Sequence, residues 1–294
     1  MLDTVAIGVQ VGGVKPGDLL ARGWDVFTKT NDKGGDLWAS CQLGGVRLAY
    51  MAGIGWLGAE ASLPSLKGVS NSQLLEPGQC AEAVNMVRDV ASAAVGMELP
   101  GLDEWTVSRF DPVWAWDRDP GAYVGALLMA RLPRTEPVHY GSSVRWVTRS
   151  NRVRARCYDK AKEQGHAVDL PLRLERQIRR RETLRVDGQE VPRTVAGALT
   201  EQVCLGVIRE SIMALGLDRP IPSIMATRRL LVDTYGRAGK NAYSCLRDVF
   251  ECGGVWPSDV SRWTKRKYER MYRDAGVSVV SPIGELPGLE LPSF

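Results

Sequence analysis

The sequence predicts an α+β protein, a central antiparallel sheet with flanking helices followed by a smaller helical domain. Three observations predict it. Short runs with period-two alternation fill the chain before about residue 190, one long stretch of helical spacing interrupts them, and helical spacing takes over after Pro192.

The elements follow in order. At the start, Val5, Ile7 and Val9 alternate on one side of a strand over residues 1–10. Glycine-punctuated runs at 36–43 and 46–51 read as strands joined by hairpin turns. Over 74–97, Ala83, Val84, Val87, Val90 and Ala94 recur at three and four, which is a helix. Residues 104–116 return to β, and 121–132 form a short helix ended near Pro133. The stretch 142–159 reads as a hairpin with Ser150 and Asn151 in its turn, and 170–180 as another strand. Helices are then expected at 194–217, 223–235, 242–252 and 258–275, the third capped by Asn241 and stopped by Gly253. With three prolines, 282–294 is an extended tail. The expected division is an α+β catalytic domain over 1–190, a helical domain over 191–281 and the tail.

The 294 residues, 44% hydrophobic and 24% charged, have an ordinary globular composition. The net charge of +4 says little, but its distribution says more. Between Gly141 and Arg185 there are 11 Arg and 2 Lys against 2 Asp and 3 Glu, a surplus of eight. Such a concentration is an electrostatic footprint for a polyanion. Six cysteines with no C-x-x-C pair, and only His139 and His166, argue against a zinc site and for a reduced, cytoplasmic protein. No signal peptide or apolar run of membrane-spanning length is seen, so no membrane partner is expected.

The hairpin strand near Tyr158 carries the most chemistry. Alternation puts Val153, Ala155 and Cys157 on one face and Arg152, Arg154, Arg156 and Tyr158 on the other. Side by side, guanidiniums repel unless an anion lies across them, and a nucleic-acid backbone is such an anion. A phenol among them is a candidate nucleophile, because positive charge favours the phenolate. The plainer alternative is a tyrosine packed at a strand end with arginines facing water. On the strand 172–179, Arg173, Glu175, Gln177 and Arg179 share the polar face, while Arg176 is a misfit among Leu172, Leu174 and Ile178. Near Arg109 and Asp111, Thr106, Ser108 and Phe110 are expected opposite. A carboxylate on such a face suits Mg²⁺ or Mn²⁺, or pairs with a neighbouring arginine. The run from Gly53 to Gly58 fits G-x-G-x-x-G, but Pro64 follows too soon for the long helix a dinucleotide site needs.

Several segments in register resemble the gene II replication-initiator family of filamentous phages, related to the HUH-type nickases. They are MLDTVAIGV at the start, AEASLPSLKGVSN from Ala59, SRFD from Ser108, the run ending in Tyr158, Lys160 and Glu163, LRLERQIR from Leu172, and TRRLLVDTY with CLRDVFECGGVWPSDV in the helical part. The resemblance implies an HUH-nickase-like catalytic domain and an enzyme that nicks and rejoins one DNA strand during rolling-circle replication. Tyr158 would attack the scissile phosphate, leaving a 5′-phosphotyrosyl link and a 3′-OH. Lys160 and Arg156 would stabilise charge at phosphorus. Glu60 and Asp111, with Glu175 the weaker third, would hold Mg²⁺ or Mn²⁺. Arg109, Arg152, Arg154, Arg156, Arg173 and Arg179 would contact origin DNA, single-stranded or extruded as a hairpin, with host helicase and polymerase as partners. The sequence departs from the pattern in three places. It has no His-hydrophobe-His pair, Ser65 stands where the family has a lysine, and Asp159, where it has a hydrophobe, could cap a helix or join the metal site. In the helix 258–275, Lys265 and Arg266 lie among interleaved aromatics and could grip DNA. A catalytically silent origin-binding or repressor protein would use the same basic sheet. A tyrosine recombinase or topoisomerase would place its tyrosine on a helix, whereas this one ends a strand.

Overall fold

The computed structural model describes residues 1–31, 34–252, 255–277, 279–282 and 284–292. In chain order the elements are β1 (Leu2–Gln10), α1 (Pro16–Ala21), β2 (Asp25–Asn31), β3 (Gly34–Leu43), β4 (Val46–Met51), β5 (Trp56–Ser62), α2 (Leu63–Leu66), α3 (Pro77–Val95), β6 (Thr106–Trp116) and α4 (Pro120–Ala126). They continue as β7 (Glu136–Tyr140), β8 (Ser143–Val147), β9 (Val153–Asp159), α5 (Lys160–Gln164), β10 (Leu172–Arg176), β11 (Ile178–Arg179), β12 (Arg185–Val186) and β13 (Gln189–Glu190). The helices α6 (Val195–Ala198), α7 (Glu201–Leu215), α8 (Ile224–Tyr235), α9 (Arg237–Glu251) and α10 (Arg262–Asp274) complete the order. The α+β class with antiparallel strands and flanking helices is what the structure has.

Two compact units divide the chain, Met1–Val113 with Gln177–Val207, and Trp114–Arg176 with Ile208–Ser293. The boundary expected at 190 falls within the Gln177–Val207 run of the first unit.

In the first unit the strands lie in the order β2-β3-β4-β5-β1-β6, with β11 on β6. Alternation of β1 works as read: Val5, Ile7 and Val9 are buried. Helix α3 packs on β4 and β5 through Ala83, Val84, Val87 and Ala91. It starts at a capping box between Glu76 and Gln79 and stops at Gly96, whose φ of 78° is left-handed. On β6 the simple alternation fails. Ile7 faces Val107 and Ala6 faces Arg109, so Ser108 is an extra residue in a bulge and Val107 joins Phe110 inside. The Gly53–Gly58 run makes a 3₁₀ turn, a left-handed Gly55 and the start of β5, with no helix for a dinucleotide.

In the second unit the order is β10-β9-β8-β7. Asn151 takes φ 56° in the β8–β9 turn, as its residue type suggested. One face of these strands, with Val144, Trp146, Ala155, Cys157, Leu172 and Leu174, shares a core with α4 and with Ile208, Ile212 and Leu215. Helices α8, α9 and α10 meet in a second cluster around Leu231, Leu246 and Tyr272. Helix α9 begins at Arg237 rather than Ala242. Its Gly239 sits where a Cβ would come 1.9 Å from the Leu231 carbonyl oxygen, so only glycine lets α8 and α9 approach this closely. The stop expected at Gly253 lies outside the described residues. No helix among the described residues is long and apolar enough to cross a membrane.

Candidate active site

The polar face of the second unit is built by register. Tyr158 on β9 lies between Ser143 on β8 and Arg173 on β10, and Tyr140 on β7 continues that row. One step along, Arg156 lies between Arg145 and Glu175. The side chain of Tyr158 is 4% exposed, under a lid of charge rather than among aliphatic groups. The Arg156 guanidinium stacks 4.3 Å from its ring centre and donates to Oη at 3.4 Å, and Lys160 Nζ is 5.8 Å from the ring. Arg156 is itself held by Glu175 at 2.7 Å and Glu163 at 3.3 Å. Lys160, fully buried, donates to Glu163 at 2.5 Å.

Burial therefore decides the state of the phenol. It pushes Tyr158 above the ordinary tyrosine range. Arg156 and Arg173 pull the other way, and Glu175 and Glu163 add to the rise. The cations do favour phenolate, as expected, but desolvation outweighs them. Arg156 loses by burial but is carried above its usual value by Glu175, Tyr158 and Glu163. Glu163 is pushed up by burial and more than recovered by Lys160, Arg156 and Arg173, so it lies below the ordinary carboxylate range.

The anion expected across the arginines is partly internal. Glu175, 2% exposed, neutralises Arg156 from the adjacent strand. The Arg154 carbonyl accepts a hydrogen bond from Arg176, a misfit on the apolar side whose pKa burial and Arg154 pull down to about 10. Arg152 is exposed beside the turn, and Arg173, 1% exposed, is the cross-strand partner of Tyr158. Asp159 caps α5, accepting from the Lys162 N–H at 3.1 Å. Sequence reasoning omitted Arg145 and the clamp role of Glu163. Fixing the β8–β9 register from the Asn151 turn would have found the first.

The first unit holds the other expected residues. Arg47, Glu60, Ala6, Arg109 and Arg179 stand in one cross-strand row over β4, β5, β1, β6 and β11. The small Ala6 side chain leaves room for Arg109 to reach over to Glu60 at 2.9 Å. Arg109 also grips Asp111 with both Nε, at 3.0 Å, and Nη2. The second Glu60 oxygen is taken by Arg47 at 2.6 Å. Arg179 is exposed, with its guanidinium on Gln177 at 3.4 Å. A divalent ion does not fit this donor set as arranged, because Arg109 occupies the position between the two carboxylates. Glu175, the third expected ligand, belongs to the second unit and holds Arg156. Among the described residues no group of three or more His, Cys, Asp or Glu could hold a metal ion. On α10, Arg266 is exposed and Lys265 lies 5.3 Å from the ring of Trp256.

No family profile matches the chain, and no curated protein does. Among solved structures, it is similar to a rolling circle replication initiator protein from Geobacillus stearothermophilus. The identity is 13% and the TM-score 0.33, over 92% of this chain and 95% of that one. That likeness is too distant to carry a conclusion about this chain.

Proposed function

We propose that the chain is a replication initiator that nicks and rejoins one strand of a phage origin through Tyr158. One observation carries the reading, a phenol on a sheet face with Arg156, Lys160 and Arg173 around it. A phosphodiester is a competing anion for these cations, and guanidinium forks match its oxygens. Drawn onto the phosphate, Arg156 releases Glu175, which then accepts the phenolic proton. Tyr158 Oη bonds to phosphorus, the bond to the 3′-oxygen breaks, and the proton passes to that oxygen. The products are a 5′-phosphotyrosyl link and a free 3′-OH, the end a host polymerase extends while a helicase opens the duplex. Reversal with a new 3′-OH rejoins the strand, and no external energy source is needed. No step here uses a divalent ion, because Glu60 and Asp111 are closed on arginines.

A second reading is favoured by the burial and protonation of Tyr158: the same face binds origin DNA without cutting it. One assay separates the two. Single-stranded fragments of the replicon encoding the chain are incubated with it and run on a denaturing gel. A covalent adduct that Tyr158→Phe abolishes and Tyr140→Phe retains is the expected result. Binding without adduct establishes the silent reading. An adduct persisting in Tyr158→Phe moves the nucleophile, with exposed Tyr140 the nearest phenol on that row.

A further inference from the structure

Away from Tyr158, the second unit has an open cleft of about 950 Å³ lined by α10, α9, the end of α7 and the start of β7. That is the size of a small-ligand site. Its lining combines two chemistries. Phe250, Trp256, Tyr272, Leu246 and Met129 make an apolar, aromatic wall. Cations line the cleft too, and one of them, Lys265, lies 5.3 Å from the Trp256 ring. Arg131 is committed to Glu136 at 3.1 Å and Glu269 at 2.9 Å, the two acids of the lining. Arg219, Lys265, Arg266 and Arg270 have no carboxylate within 4 Å among the described residues. Arg266, Arg270 and Arg273 recur at four and three along α10, so one helix face supplies them.

We propose that this cleft takes one nucleotide unit, its base against Trp256 and Phe250 and its phosphate on Arg266 and Arg270. Flat aromatic surface beside unneutralised guanidiniums suits a ligand that is planar at one end and anionic at the other. An inorganic anion leaves the aromatic wall unused, and an apolar ligand leaves the cations unanswered. The nucleotide comes either free or as an unstacked residue of a single strand. The second source deepens the DNA-contact reading of Lys265 and Arg266 and rests on it.

The test is direct calorimetric binding of thymidine monophosphate, the trinucleotide of thymidine and inorganic phosphate to the full chain. No cleavage step enters, so failure of the nicking reading leaves the result intact. The monophosphate is expected to bind and phosphate to bind at least tenfold more weakly. Trp256→Ala is expected to weaken nucleotide binding by about tenfold, the loss of one base stack. The exposed change Arg270→Glu tests the charge without touching the core and is expected to flatten the salt dependence by about one phosphate contact. Trinucleotide tighter than monophosphate assigns the site to a strand, and the reverse order assigns it to a free nucleotide. Phosphate binding as tightly as the monophosphate, or a folded Arg270→Glu that binds like wild type, overturns the proposal.

Discussion

Arg109→Leu tests how the first unit is held together. Asp111 is fully buried and Arg109 grips it through two nitrogens, so the substitution strands a carboxylate in the interior. Breaking a buried pair from one side costs about 3–5 kcal/mol. The Glu60 contact adds little, because Glu60 is part-exposed and keeps Arg47, and such pairs are worth about 0–1 kcal/mol. A total near 3–4 kcal/mol lowers the melting temperature by roughly 10 °C for a unit of this size. Urea unfolding followed by circular dichroism measures it. Arg109→Leu/Asp111→Leu should recover most of the loss, since an apolar pair of similar volume often replaces a buried ion pair at little cost. The single change also empties the position between the two carboxylates. Mg²⁺ or Mn²⁺ should then raise the midpoint of Arg109→Leu more than that of wild type. A loss below about 1 kcal/mol, or no recovery in the double variant, would refute the assignment of Arg109 as the clamp.

Glu175→Gln leaves Arg156 without its main anion, and affinity for single-stranded DNA should rise, with the log–log salt slope steepening by about 0.7 in filter binding. An unchanged slope would mean Arg156 never meets a phosphate. Asp159→Ala should cost about 1 kcal/mol of stability through the lost α5 cap, while Asp159→Asn, an equally good cap, should match wild type in both stability and adduct formation. Loss of adduct in Asp159→Asn alone would instead place this carboxylate in the chemistry. Glu163 lies below its ordinary value of 4.5 when folded, so its contribution is complete above that pH and disappears as pH falls through the lower folded value. Urea midpoints between pH 6 and 2 should therefore fall less steeply in Glu163→Gln than in wild type.

What the sequence made legible depended on the backbone alone. Strand parity put Tyr158 with Arg154 and Arg156, and Ala155 with Cys157, because alternation needs no knowledge of neighbours. The same rule failed at Ser108, where an extra residue in β6 reverses parity and nothing in SRFD announces it. Helix propensity misplaced the start of α9, since Gly236 and Gly239 argue against helix until the close crossing with α8 is known. Pairing across strands was out of reach. Of the two roles the sequence leaves open for Glu60 and Asp111, metal ligand or partner of an arginine, the second is what the structure has. Asp111 meets Arg109 two residues along β6, where parity alone puts them together. The Glu60 contact instead depends on Arg109 standing opposite Ala6, a register that no local pattern reveals.

The same limit explains the phenol. Read along β9, Tyr158 ends a run of positive charge, and charge alone lowers its pKa. Read across the strands, Glu175 and Glu163 work against the pull of Arg156 and Arg173, and desolvation prevails. A tyrosine so placed keeps its proton at rest. Its reactivity, on the nicking reading, depends on a phosphate displacing Arg156 from two carboxylates, which ties activation of the nucleophile to the arrival of DNA. The carboxylates are then as necessary to control as the arginines are to binding. Glu175→Gln should accordingly bind DNA more tightly while forming adduct more slowly, a split that a purely electrostatic DNA-binding face does not produce.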